Sequence, residues 1–217
     1  VVEPTNAPFL AIFPQWINYA EDRIYRELDM LVANVRDSST STTAGSRNFN
    51  LPTSIGTFLV LDAINVITPA STAPDSGTRN RLTPVSLDVL DWTFPSATGS
   101  GVPSMFAYYS QNTDLSPAQT QVMFGPWPDA VYRIECLGKI QPTALSATNT
   151  TTYLTANLYD LMFAATMVAA TSWQMNYGAA GVDNPQQSTT WEATYKTLKE
   201  SAATWEARKR FGGASWT

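Results

Sequence analysis

Ile17, Ala20, Ile24, Leu28 and Leu31 recur at steps of three and four and form one apolar stripe. Phe13-Pro14 places a proline in the first turn, so an amphipathic helix is predicted from there to about residue 30, after an extended opening. On its opposite face Asp22 and Arg26, and Arg23 and Glu27, stand four apart. Such exposed pairs stabilise a helix by only about 0.2–0.5 kcal/mol each. The period then changes. Leu31–Asp37 and Arg47–Leu51 alternate, and Ser38–Gly45 between them is almost purely Ser, Thr, Ala and Gly. This predicts a β-hairpin with a long polar tip that contains Ser39, Thr42 and Gly45.

Thr57–Ile67 is rich in Val, Ile, Leu and Phe and predicts a second strand region, followed by a loop over Ser71–Asn80. Pro84–Trp92 predicts a short helix capped by Thr83. Met105–Ser110, Gln119–Phe124 and Ala130–Leu137 predict three more strands. The last two flank Gly125-Pro126-Trp127-Pro128-Asp129, whose prolines cannot continue a ladder.

Leu158–Tyr177 breaks the amphipathic rule: it spans about five turns with Asp160 as its one formal charge. A helix without a polar face must be buried nearly all round, in its own core or against copies of the chain. Asn157 and Asp160 suit its start, and Gly178 its end. A last helix opens at Asn184-Pro185, and its Trp191, Tyr195, Leu198, Ala202 and Trp205 form a heptad-like seam. The expected fold is α+β: a helical bundle built from the N-terminal helix and two long C-terminal helices, with a small antiparallel β-sheet insertion. A single domain over 1–217 is expected, with a helical core at about 14–30 and 157–211 and a β-rich insertion at about 31–140.

Composition bears on how the apolar helix is covered. Only 14% of residues are charged, while 12% are aromatic, including seven Trp. That balance favours surface covered by partners, although abundant Ser, Thr and Asn also supply uncharged polar surface. The Ala, Thr, Asn and Gln in Leu158–Tyr177 argue against a membrane span. The net charge of −5 and the scattered Lys and Arg argue against gripping nucleic acid.

Chemistry is scarce. There is no histidine, which removes Ser-His-Asp and Cys-His pairs and the commonest metal ligand. Cys136 is the one cysteine and lies in an alternating run, as a buried inert thiol would. No phosphate-binding glycine loop is present. Asp88 with Asp91, or Asp129 and Glu135, remain as carboxylates for glycoside cleavage. No catalytic residue, cofactor or metal is expected. Arg208-Lys209-Arg210 suits either the negative end of a helix dipole or a docking site.

Several segments resemble the head-to-tail adaptor (connector) proteins of tailed bacteriophages. They are Ile17–Asp29, Phe49-Asn50-Leu51-Pro52, Ile64–Pro69, the turn Pro126–Asp129 with Tyr132 after it, Thr150–Leu154, and Asn157–Leu161. Their order and spacing carry the likeness from about Pro14 to Tyr177. The resemblance implies a structural, non-enzymatic virion protein. It would form a dodecameric ring beneath the portal, continue the DNA channel, and provide the platform for the tail. Its partners would be other copies, the portal protein and the next tail or nozzle protein. DNA would pass without specific binding, and no membrane would be involved. It would be found in the virion neck, and in the host cytoplasm during assembly. By position, Arg208, Lys209, Arg210, Phe211 and Trp216 would contact the portal, and the hairpin tip at Ser39, Thr42 and Gly45 would face the tail. The alternatives are another neck or tail component, such as a stopper or terminator, a virion-associated cell-wall hydrolase, or a carbohydrate-binding module suggested by the Trp and Tyr content.

Overall fold

A computed structural model describes residues 7–112, 119–174 and 186–211. The closing of the apolar helix at Gly178, the cap at Asn184-Pro185 and Trp216 fall outside those residues. The chain forms two units, one from residues 1–32 with 143–217 and the other from residues 33–142.

The first unit is helical. Helix α1 covers Ala7–Glu27, with Pro14 inside it, so the helix begins earlier than Phe13-Pro14. Helices α3 (Tyr153–Asn157), α4 (Tyr159–Gln174) and α5 (Gln186–Phe211) complete it. Thr152 caps α3 in a box with Thr155, and the break at Leu158 separates α3 from α4. The start assigned to Asn157 therefore falls at the end of a preceding turn of helix. Ala20 and Ile24 of α1, Leu28 just after it, Leu161, Met162, Ala164 and Ala165 of α4, and Tyr195 and Ala202 of α5 form one core.

The second unit corrects the expected architecture. The β-region is not a small sheet inserted in a helical bundle; it is two four-stranded sheets. The strands are β1 (Asn34–Asp37), β2 (Asn48–Asn50), β3 (Thr57–Thr68), β4 (Thr78–Arg81), β5 (Thr83–Pro84), β6 (Met105–Asn112), β7 (Gln119–Gly125) and β8 (Arg133–Gln141). The first sheet has the order β1-β8-β3-β4 and the second β2-β7-β6-β5. Their facing sides share one core containing Ile64, Val66, Ile134, Cys136 and Ile140 from the first sheet and Phe49, Phe106, Val122 and Phe124 from the second.

Two local readings hid the second sheet. β1 and β2 are not a hairpin, because β1 pairs with β8 and β2 with β7, in different sheets. β4, Thr-Arg-Asn-Arg, is exposed at every position and carries no apolar alternation, so it resembles a loop. Helix α2 (Leu87–Thr93) is capped by Ser86, not Thr83, because Thr83-Pro84 belongs to β5.

Candidate docking surfaces of the helical unit

Among the described residues, helix α4 buries one side and leaves the other partly open. Its Leu161, Met162, Ala164 and Ala165 are buried, but Tyr159 is 65% and Phe163 45% exposed. Residues 166–170 are half-buried. Between α4 and α1 runs a groove of about 320 Å³, walled by Phe13, Trp16 and Ile17 on one side and Tyr159, Met162, Phe163, Met167 and Ala170 on the other. Thr155, Thr166 and Thr171 also line it, but their hydroxyls are bonded to the carbonyls of Thr152, Met162 and Met167. The threonines therefore contribute methyl surface, and the groove is apolar throughout. Tyr159 stacks on Phe163, whose ring meets Trp191 edge-on at 5.7 Å, so the aromatic wall is braced from α5.

Charge is used inside the unit. Arg23 donates two hydrogen bonds to Glu192, at 2.8 and 2.7 Å, and a third to Glu27 at 3.0 Å. Its guanidinium lies 4.1 Å from the Tyr195 ring centroid. Lys199 and the Tyr195 hydroxyl also donate to Glu27. Burial opposes ionisation of Glu27, but the bonds from Lys199, Arg23 and Tyr195 outweigh it and hold its carboxyl down at about 2. The Arg23–Glu27 pair is thus part of a bond between helices, not surface decoration.

The predicted portal-contact residues divide. Arg208 is exposed and forms no ion pair among the described residues. Lys209 donates to Glu206 at 2.8 Å and to the Tyr153 hydroxyl, and its ammonium lies 3.4 Å from the Trp205 ring centroid. Glu206 is buried and also accepts from the Leu31 amide and the Tyr153 hydroxyl. Arg210 pairs with the Asp29 carboxylate at 2.7 Å and donates to the Asp29 carbonyl. Phe211 ends α5, and nothing is described of its side chain. Glu206 stands four residues before Arg210, the spacing of an exposed helical pair, yet it is buried and bound by Lys209.

The residues assigned to the hairpin tip lie in the second unit. Thr42 is buried; its hydroxyl donates to the Ala130 carbonyl and accepts from the Tyr132 amide. Gly45 has φ +73 and donates to the Pro128 carbonyl. Ser39 is exposed and its amide donates to Asp37. The segment is laid along residues 128–134 by these bonds and does not project as a hairpin.

The carboxylates considered for catalysis are not assembled. Glu135 is buried on β8 and bound by Asn65 and Arg79. Asp129 accepts from Tyr132, and Asp91 pairs with Arg47. Among the described residues no group of three or more His, Cys, Asp or Glu could hold a metal ion, and no helix is long and apolar enough to cross a membrane. Burial pushes the Cys136 thiol up to about 12, which leaves it unreactive near neutrality.

An apolar groove on a helical unit whose charges are bonded within that unit is a surface suited to docking. Residues 3–215 match the model of the SU10 adaptor protein family, and the chain belongs to that family. This is a structural phage protein family, whose members are neck components that interact with portal and tail proteins. No curated protein matches the chain.

Proposed function

We propose that the chain is the head-to-tail adaptor subunit, which forms a ring beneath the portal, continues the DNA channel and gives the tail its platform. A dodecamer is the number that the family likeness implies. The observation that supports this reading is the uncovered apolar groove between α1 and α4 in a member of a phage adaptor family. A second copy of the chain fills that groove. Burying apolar area at about 25 cal/mol per Å² is the chief source of such adhesion, and an obligate ring is where a charge-poor helix belongs.

The remaining roles follow from this. An overall negative charge repels phosphate, so DNA passes without being held. The end of α5 with Arg208, Lys209, Arg210, Phe211 and Trp216 contacts the portal, and the segment holding Ser39, Thr42 and Gly45 faces the next tail or nozzle protein. Thr42 shapes that segment from within, while Ser39 and Gly45 are on its surface. The single domain proposed over 1–217 then belongs to the neck of the virion, after assembly in the host cytoplasm.

The test is assembly on purified portal rings, followed by electron microscopy and mass measurement. Wild-type chain adds a ring of matching symmetry, and Phe163→Asp, which places a charge in the groove wall, abolishes it while leaving the helical signal intact. A ring of a different symmetry would reassign the chain to a stopper or terminator. No ring under any condition would end this reading.

A further inference from the structure

The scattered arginines converge when the strands pair. Residues opposite each other in a ladder project from the same side of a sheet. In the first sheet Arg36 is opposite Leu137, Asn34 opposite Lys139, Arg79 opposite Ile67, and Arg81 opposite Asn65. Ile67 and Asn65 in turn are opposite Arg133 and Glu135. Ile64, Val66, Ile134, Cys136 and Ile140 occupy the alternate positions and face the core. Arg36, Arg79, Arg81, Arg133 and Lys139 therefore share the outer face, five of the 13 Lys and Arg in an acidic chain. Among the described residues the arginines meet two carboxylates there: Glu135, which is buried between Arg36 and Arg79, and Asp75, which pairs with Arg79. Ile67 is buried on this face beneath Gly77, and Arg81 and Arg133 beside it form no ion pair among the described residues.

The opposite outer face of the same sandwich carries the complement. Val122 and Phe124 of β7 point to the core, so Met123 and Gly125 point outward. A Cβ at Gly125 would collide with Leu90 and Phe94, which places α2 against this outer face. Leu90 is buried there, whereas Trp92 is 85% exposed, the largest value among the exposed apolar side chains. Val89 beside it is half exposed. Asp88 and Asp91 are exposed on the same helix; Asp91 is engaged by Arg47, and Asp88 forms no ion pair among the described residues. One face thus presents arginines, and the other an acidic helix with a bare tryptophan.

We propose that these two faces bind one another between successive copies of the chain: α2 of one subunit, led by Trp92 and Asp88, docks on the Arg36–Arg79–Arg81–Arg133 face of the next. A tryptophan ring stacks on guanidinium groups, and carboxylates pair with them. Complementary patches on opposite sides of one molecule make a heterologous contact, which closes into a ring when the rotation allows. Trp and Arg are also the residues in which interface energy concentrates. The contact rests on the ring reading above, and it lies in the second unit, separate from the α1–α4 groove.

The experiment measures ring formation on portal rings by mass photometry across a concentration series. It compares the wild type with Trp92→Ala, with Asp88→Asn and with the double variant Arg81→Glu/Arg133→Glu. None of these touches the buried Glu135, and circular dichroism with thermal melting reports whether each folds. The expected result is a rise of about tenfold or more in the half-assembly concentration for Trp92→Ala and for the arginine double variant. A smaller rise for Asp88→Asn should shrink in high salt. An equimolar mixture of Trp92→Ala with the arginine double variant retains one good pair of faces, so it yields pairs and no closed rings. Rings formed by folded Trp92→Ala and arginine variants at the wild-type concentration would overturn the proposal and leave the ring reading standing. Normal rings with lost binding of the arginine variant to a DNA duplex would also overturn it, and assign the face to phosphate. Failure of the wild type to form rings at all would remove the ring reading, and this contact with it.

Discussion

Arg23 and Glu192, 169 positions apart, meet in a two-pronged ion pair with both nitrogen–oxygen distances under 3 Å. The pair joins α1 to α5 across the discontinuity created by the inserted sandwich. Arg23 is mostly shielded from water, and the Tyr195 ring supports its flat side. Arg23→Ala would leave Glu192 and Glu27 without their shared cation. A loss of about 2–3 kcal/mol is expected, the range for a charged hydrogen-bonded group deprived of its partner. Arg23→Lys should recover only part of it, because an ammonium cannot supply the planar fork. The urea midpoint at constant slope measures both. Equal stability of Arg23→Ala and wild type would show that the pair does not tie the helices.

The same cluster sets an acid limit. Glu27 titrates at about 2 in the folded chain, below the ordinary value of 4.5. Glu192 and Glu206 are also lowered: Arg23 bonding chiefly does this for Glu192, and for Glu206 the bonds from Lys209, Leu31 and Tyr153 overcome its burial. A carboxyl with a depressed folded value contributes stability above its unfolded pKa and loses it as pH falls towards the folded one. Stability is therefore expected to fall steadily from about pH 4.5 towards pH 2. Glu27→Gln should be less stable at neutral pH and flatter across that window. Denaturant melts at several pH values compare the slopes.

Glu21 should behave in the opposite sense. It is buried, and its Oε2 accepts from the Leu145 amide at 2.8 Å. Burial raises its pKa above 4.5. Its contribution is fully present below the unfolded value and is lost as pH rises through the folded one. Glu21→Gln keeps the acceptor and removes the ionisation, so it should gain stability relative to wild type as pH rises above 4.5. A constant difference between the two proteins across that range would contradict the assignment.

Local patterns exposed part of this architecture, and the reasons are physical. Ala20, Ile24 and Leu28 of the first stripe and Tyr195 and Ala202 of the α5 seam are buried as their spacing predicts, because helix faces are written in the local sequence, whereas Leu31 and Trp205 of the same patterns are exposed. Richness in Val, Ile, Leu and Phe likewise marked β3, alternation marked β8, and β6 and β7 lie where strands were predicted. Three things were not legible. β4 has exposed positions throughout and so gives no period-two signal. The burial of Arg23 and Glu206 is not legible because helix spacing reveals only neighbours three or four apart, while Glu192 and Leu31, which they bind, are distant in sequence. The arginine-bearing face of the first sheet arises only when β1, β8, β3 and β4 fall into register. The candidate groove was half legible: the missing polar face of Leu158–Tyr177 was plain, but not which side its own chain would leave open.

The end of α5 offers a test that separates folding from docking. Ending the chain after Arg208 removes Lys209 from buried Glu206 and from the Trp205 ring, and Arg210 from Asp29. This should cost about 1–3 kcal/mol, because Glu206 would lose its cation. Ending the chain after Phe211 keeps all these bonds and should change stability by no more than about 0.5 kcal/mol. Thermal melting and co-sedimentation with portal rings should be run on both forms. If portal binding falls in both, Trp216 and its neighbours make the contact, since the longer form retains the helix end. If it falls only in the shorter form, the contact lies at Arg208–Phe211. An Arg208→Ala chain then isolates the cation, because Arg208 forms no ion pair among the described residues and its loss should leave melting unchanged. Full portal binding by the shorter form would show that the end of α5 locks the helices together and is not the portal arm.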